Sequence, residues 1–324
     1  MRAMARSDKK PSGDANRRGP QHKSTEQDQP GAKRPPVIAD NTAIKLELEW
    51  SEVKPVYQAA LKQQAQHVKQ PGFRQGKVPL SVAEDVIGRP KLIEKTLEQL
   101  LPDHYNQAIA ASAYRPVTQP EFKPLKLEFG QSWEVEAQFA QAPQVKLDRY
   151  QHHVKKGLEA ARQEITRRQA QPKKQQAQRP VDQPAGFDEA QLRLQHVYQA
   201  LVTALQPAIP QLLLKERTKH ELYHLVTSLD NLKISLDDYL ARRQQSFEQL
   251  SQELAISALG QLQLEAILSA IIEHANLKPA SKDVAAQQAG LKKRYGNDIP
   301  QTELERHAHN LVTREMLTTH LLSL

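Results

Sequence analysis

The chain has 324 residues, 39% of them hydrophobic and 25% charged, which is enough for two or three domains with buried cores. It contains no cysteine, which excludes disulfides and thiolate catalysis, and its 12 glycines are few enough to favour helices over a β-barrel or β-sandwich. The net charge of +8 indicates a polyanionic partner, with nucleic acid as the first candidate and a merely basic surface as the simpler alternative.

Residues 1–38 form a basic tail. They are rich in Pro, Gly and Gln, show almost no apolar periodicity, and carry nine Lys or Arg against four acids. This composition predicts disorder, and the tail is either an RNA-contacting arm or a solubilising extension. The tail lacks the apolar core of a secretory signal, and no apolar run in the chain approaches the roughly 20 residues that span a bilayer. We therefore expect a cytoplasmic protein with no membrane contact.

A small α+β domain is predicted for residues 39–150. Apolar and charged residues alternate in the stretch AIKLELEW, as in a half-buried strand, whereas the following segments show apolar stripes at helical spacing. The predicted elements are a strand over about 43–50, a helix over about 51–69, a helical run over about 80–111 that Gly88 and Pro90 kink or split, and two strands within about 120–143.

Residues 151–187 form a charged segment after this domain. Eight Lys or Arg stand against three acids, and apolar residues are sparse. The first half predicts a solvated helix, and the second half, with Pro172, Pro180 and Pro184, predicts a linker.

Residues 188–324 are predicted to be entirely helical. Ser235 with Asp238, and Ser246 with Gln249, have the spacing of capping boxes. Gly296 follows a basic run and predicts a helix stop. The predicted helices cover about 188–205, 207–229 with a kink at Pro210, 235–245, 247–276, 282–295 and 300–322.

The sequence contains no convincing catalytic or metal-binding pattern. Between Gly72 and Gly76 lie three residues, and Val78 follows the lysine, whereas a phosphate-binding Walker loop needs four residues and a Ser or Thr. His220 and His224 are four residues apart and could chelate a metal, but surface histidines are the simpler interpretation. We therefore predict no enzyme activity, no cofactor and no metal.

The stretch PGFRQGKVP, from Pro71 to Pro79, is the strongest functional candidate. Two prolines and two glycines predict a shaped loop between helices, and this loop carries Phe73, Arg74 and Lys77. An aromatic ring beside two cations suits docking onto an apolar pocket rimmed by carboxylates or phosphates. The alternative is a surface turn whose phenylalanine folds back onto its own core.

This stretch resembles the GFRxGKxP signature of trigger factor, the bacterial chaperone of the ribosomal exit tunnel. The order of strand, helix, signature, helix and two strands is similar to that of the family's ribosome-binding domain. Pro143 to Tyr150 resembles the end of that domain, although Ala142 replaces a frequent aromatic residue. Ala208 to Leu213 resembles the start of one of the family's arm helices, and Leu236 to Leu240 resembles the segment that leads into the family's long central helix.

The resemblance implies an α+β ribosome-binding domain followed by an all-α chaperone domain with helical arms. It implies that Gly72, Phe73, Arg74, Gly76 and Lys77 dock on the large ribosomal subunit, on an exit-tunnel protein and ribosomal RNA. The helical domain over 188–324 would then shield emerging polypeptides, and the free protein could form the homodimer often found in the family. Nothing of isomerase size fits in 151–187, so prolyl isomerase activity is not expected.

Two other functions stay open at this point. An accessory protein that binds the ribosome or RNA without chaperone activity is favoured by the basic tail and the basic segment 151–187. An isomerase with an unrecognised site is disfavoured, because no segment between the two resembling regions has the length of that domain.

Overall fold

The computed structural model describes residues 37–74, 76–170, 188–295 and 300–324. The predicted basic tail, the proline-rich linker and the helix stop at Gly296 lie outside these residues, except that Val37 and Ile38 are described.

An antiparallel sheet and three helices make up the first part of the chain. The sheet has the order β2-β4-β3, and Thr42 pairs with Phe139 while Leu48 pairs with Trp133. The α+β prediction for this part is therefore confirmed. Its elements are β1 (Ile38–Ala39), β2 (Thr42–Leu48), α1 (Trp50–Ala65), α2 (Leu80–Ile87), α3 (Arg89–Ala110), β3 (Glu121–Lys126) and β4 (Trp133–Phe139).

One core joins this sheet to its helices. Alternate residues of β4 face inward, and Trp133, Val135 and Phe139 are fully buried among them. They pack with apolar side chains of α1 and α3, including Val53 and Leu92. The predicted split between the two helices occurs at Gly88, which has a φ of 84° and ends α2.

The second part of the chain is helical apart from one two-residue strand, which confirms the predicted all-α class for this part. Its main core cluster lies where α4, α5, α8 and α10 meet, and a smaller cluster joins α9 to α10. The elements are α4 (Tyr150–Ala170), α5 (Glu189–Leu205), β5 (Ile209–Pro210), α6 (Gln211–Asn231), α7 (Leu236–Arg243), α8 (Phe247–His274), α9 (Ser281–Tyr295) and α10 (Gln301–Ser323).

Pro210 does not kink a helix, contrary to the sequence prediction. It lies in β5, which pairs in parallel with β1, and α6 begins one residue later. Proline lacks the N–H that a helix interior needs, so the chain uses it at the helix start instead. The Asn41 side chain accepts a hydrogen bond of 2.8 Å from the Leu212 N–H and thereby caps α6 from a distant part of the sequence.

Helix α4 packs along α5 as a tight hairpin. Its buried residues are Tyr150, Val154, Gly157, Ala161 and Ile165. A Cβ atom on Gly157 would lie 2.7 Å from the Cα of Val197, so glycine is required at this helix crossing. The sequence predicted a solvated helix here, but one side of α4 is buried, because small residues at helical spacing let α5 approach.

By length and composition alone, helix α8 could cross a membrane: it has 28 residues and contains an 18-residue window with a mean hydropathy of 1.5. Gln, Ser and Glu residues interrupt the apolar residues of α8, so the helix reaches this average without an uninterrupted apolar run of about 20 residues. Ile267 and Ile271 on this helix share a core with Val197 and Leu201 of α5. The predicted capping box is confirmed at its start.

Candidate functional site

The loop over 71–79 is held at both ends by the core of the α+β part. Val68 precedes the loop and is 8% exposed, and Val78 ends it and is 7% exposed. Both side chains belong to the core cluster around Trp133. The valines therefore fix the two ends of the loop, while the described residues 71–74, 76 and 77 are exposed.

Two backbone turns shape the tip of this loop. The Phe73 N–H donates to the Gln70 carbonyl at 3.1 Å, and the Lys77 N–H donates to the Arg74 carbonyl at 2.9 Å. Gly72 and Gly76 have φ angles of 86° and 78°, a conformation that costs other residues energy. The backbone of the loop thus has a positive φ at two positions, and the sequence has glycine at both.

The three side chains of the predicted docking group all face outward. Phe73 is 45% exposed, and Arg74 and Lys77 are exposed as well. Gln75, between them, lies outside the described residues. The structure thus brings one aromatic ring and two cations together on a loop of defined shape. Phe73 is absent from the described core clusters, so the alternative in which its ring folds back is not what the structure has.

A polar brace that sequence reasoning missed fixes α2 behind the loop. The Tyr57 hydroxyl donates to Glu84 Oε1 at 2.9 Å, and Arg89 Nε lies 3.5 Å from the same oxygen. Burial, with the hydrogen bond to Glu84 as the second cause, raises the pKa of Tyr57 to about 12. The hydroxyl therefore stays protonated at neutral pH and keeps donating. These residues are 27 or more positions from Tyr57 in sequence, so no local pattern indicates the contact.

The helical part exposes large apolar side chains. Ile256 is 72% exposed, Leu232 is 68% exposed, Tyr223 is 67% exposed and Phe247 is 50% exposed. They lie on α6, on α8 and in the turn after α6. The sequence showed an apolar face on each helix but did not separate these exposed residues from core residues. No local signal separates Ile256 from the core, because it lies seven and eleven residues before the buried Gln263 and Ile267 and so on the same face of α8.

The histidine pair considered as a chelate is the nearest approach to a metal site. The Nε2 atoms of His220 and His224 are 3.1 Å apart on the surface of α6. Over the described ranges, no group of three or more His, Asp or Glu residues is arranged to hold a metal ion. Two exposed ligands on one helix leave most of the coordination shell to water, so we assign no function to this pair.

Two protein-family models match the chain. The model of the bacterial trigger factor protein matches residues 38–177, and the model of the trigger factor C-terminus matches residues 187–319. The chain belongs to the trigger factor family. The regions that match trigger factor are separated only by residues 178–186, and a folded domain of roughly 100 residues does not fit there. The chain is thus a shortened trigger factor sequence.

Curated relatives agree with this family. The trigger factor of Mycobacterium leprae (strain TN) is 40% identical over 88 residues, which are 27% of this chain and 19% of the relative. The trigger factor of Latilactobacillus sakei subsp. sakei is 32% identical over 125 residues, which are 39% of this chain and 28% of the relative. The matched part of this chain thus spans 19% to 28% of the length of these relatives.

A solved structure of the trigger factor chaperone, described for promiscuous substrate recognition in folding and assembly, is similar over 87% of this chain and 97% of that chain. The TM-score is 0.49 and the sequence identity is 10%.

Proposed function

We propose that this protein is a ribosome-associated chaperone that docks near the nascent-chain exit through the loop over 71–79 and shields emerging polypeptides with its helical part. Membership of the trigger factor family supports the chaperone activity. The observation that carries the docking role is the outward position of Phe73, Arg74 and Lys77 on a loop that the buried Val68 and Val78 anchor. The cytoplasm is the corresponding location.

The chemistry of the loop suits weak, reversible binding. Burying the Phe73 ring in a pocket of a ribosomal protein would contribute about 1.5–3 kcal/mol. Each exposed ion pair of Arg74 or Lys77 would add about 0–1 kcal/mol, while association costs several kcal/mol of lost freedom. A chaperone that must dissociate from the ribosome when the nascent chain is released needs contact energies that only slightly exceed the cost of association.

The helical part is proposed to bind unfolded segments without catalysis. Exposed side chains such as Leu232 and Ile256 offer apolar contact area to any chain that has not yet buried its own. Binding the unfolded state lowers its free concentration and hence its aggregation. Because the matched regions leave no room for an isomerase domain, we propose that the protein does not accelerate prolyl isomerisation.

The experiment that tests docking is co-sedimentation with vacant bacterial ribosomes at moderate salt. The triple variant Phe73→Ala, Arg74→Ala, Lys77→Ala is expected to bind at least about tenfold more weakly, because it loses the buried ring and both charges. A matched control is Phe247→Ala, Arg242→Ala, Lys233→Ala, which removes the same exposed residue types from the helical part.

The control variant is expected to sediment like the unchanged protein. If the loop variant also sediments unchanged, the loop is not the dock. In that case an accessory RNA-binding function, carried by basic surfaces elsewhere, replaces the docking proposal.

A further inference from the structure

The outer side of α4 carries a row of cations. Lys155, Lys156, Arg162 and Arg167 are exposed, and they lie on the side of the helix away from the buried residues Val154, Gly157, Ala161 and Ile165. We call these four cations the basic face of α4. Glu159 is the acid that lies among them on this side. The charge of this face is therefore strongly positive.

Most of these cations are free to take a partner. Over the described ranges, Lys155, Lys156 and Arg162 make no ion pair, and Arg167 only reaches Glu164 at 4.0 Å. Other surface cations of the chain are closely paired, such as Arg217 with Glu265 at 2.7 Å. An anion that approaches the basic face consequently displaces few internal contacts.

The face is also held in a fixed shape. From Lys155 to Arg167 the helix rises about 18 Å at 1.5 Å per residue, a length that can follow several nucleotides. The opposite side of α4 packs closely on α5, with Gly157 against the backbone of Val197. The positions of the charges are thus set before binding, which lowers the entropy cost of ordering them.

We propose that the basic face of α4 binds the phosphate backbone of RNA, as a second contact separate from the loop over 71–79. A membrane-binding helix would need apolar residues at the edge of its charged face, whereas the apolar side of α4 is buried against α5. No aromatic residue lies among the four cations, so the contact reads charge and shape without base sequence. The choice of RNA over other polyanions rests on the proposed ribosome association.

The test uses the full chain and a fluorescently labelled RNA duplex of about 20 base pairs, titrated at several salt concentrations. The variant Lys155→Gln, Lys156→Gln, Arg162→Gln, Arg167→Gln is expected to bind about tenfold or more weakly at low salt. Each lost phosphate contact contributes about 0.7–0.9 to the slope of log K against log salt, so the slope should fall by about 3.

A control variant removes the same charge from α9 and its approach: Lys278→Gln, Lys282→Gln, Lys292→Gln, Lys293→Gln. These residues are exposed, so the control is expected to retain most of the RNA affinity. An equal loss in both variants would mean that only net charge matters, and it would overturn the proposal. Circular dichroism checks that α4 stays folded in the first variant.

Two further arms separate this inference from the proposed docking. The triple variant of the loop is expected to keep its affinity for the duplex, whatever it does on ribosomes. If the loop variant loses duplex binding and the α4 variant keeps it, the RNA contact belongs to the loop and the inference fails.

Vesicles with about 30% anionic lipid test whether the basic face of α4 binds a different polyanion equally well. Binding to vesicles that equals binding to RNA, and that is lost with the same four residues, would also overturn the inference.

Discussion

The α+β part and the helical part of the chain bury their apolar side chains differently. Among the described residues, the α+β part has one core cluster of sixteen buried side chains, whereas the helical part has a cluster of eight, a cluster of three and further buried residues, such as Leu212 and Leu250, that belong to neither. The most exposed large apolar residues, Ile256, Leu232 and Tyr223, all lie in the helical part. A part with a single core that presents a loop and a part with a divided core that presents apolar surface are suited to two different kinds of binding.

The unfolding of the two parts can be followed separately, because both tryptophans of the chain, Trp50 and Trp133, lie in the α+β part. Tryptophan fluorescence therefore reports on the unfolding of that part. Far-ultraviolet circular dichroism is dominated by helices, which are mostly in the other part.

The largest effect is expected from shortening a core leucine. Leu92→Ala, in the large cluster, should cost about 3–4 kcal/mol, because the side chain is fully buried and its surroundings cannot collapse. Leu304→Ala, in the cluster of three between α9 and α10, should cost about 2 kcal/mol. Urea denaturation followed by both signals measures the two costs.

The two probes should also respond differently to these variants. Leu92→Ala is expected to shift the fluorescence transition, whereas Leu304→Ala is expected to shift only the circular dichroism. An equal shift of the fluorescence in Leu304→Ala would show that the two parts unfold as one cooperative unit and not as two separate cores.

A smaller effect is expected at the α4–α5 crossing. Gly157→Ala places a Cβ atom 2.7 Å from Val197 Cα, and the forced separation of the helices should cost about 1–2 kcal/mol net of the better helix propensity of alanine. Gly260→Ala on α8 is the matched control, because a Cβ there meets nothing within 4 Å.

Thermal unfolding followed by circular dichroism separates these two glycine variants. Gly260→Ala should be neutral or stabilising by up to about 1 kcal/mol, since only the helix propensity changes. If Gly157→Ala behaved in the same way, the close packing of α4 on α5 would contribute nothing to stability.

The smallest effect on stability is expected from the exposed apolar residues. Leu232→Ser with Ile256→Ser should change the free energy of unfolding by no more than about 0.5 kcal/mol per site, because both side chains are largely in water. The same pair should weaken the suppression of aggregation by about twofold or more, because apolar contact area worth about 25 cal/mol per Å² is lost.

Light scattering after dilution of a chemically denatured test protein measures this suppression. Leu125→Ser, which changes a leucine of the α+β part that is 54% exposed, is the control and should leave the suppression unchanged. A loss of suppression with Leu125→Ser, but not with the pair, would place the client-binding surface on the α+β part.

Much of the fold follows from local pattern. The alternation of apolar with polar or charged residues predicted β2 and β4, and an apolar stripe at helical spacing predicted α1. The Ser246–Gln249 spacing predicted the start of α8. Each of these patterns depends on residues that are close in sequence. The candidate loop was also found from a contiguous stretch. Its docking role stays a prediction, whereas the exposure of Phe73, Arg74 and Lys77 is seen in the structure.

The remaining features depend on partners distant in sequence. Helix α6 begins after Pro210 because β5 pairs with β1 and Asn41 caps the helix, and neither contact leaves a local signal. The brace from Tyr57 to Glu84 and the helix crossing at Gly157 are of the same kind. The charged sequence of α4, taken alone, does not show that one side of this helix is buried against α5.

The sequence by itself determined most of the helices and strands, though not β1 or β5, together with the glycine-bearing loop and the family, since period, capping and motif are properties of neighbouring residues. The tertiary structure decided which apolar residues of α6 and α8 face water, and which cations of α4 are left without partners. Burial and ion pairing depend on which elements meet, and those meetings are set by packing across the whole chain.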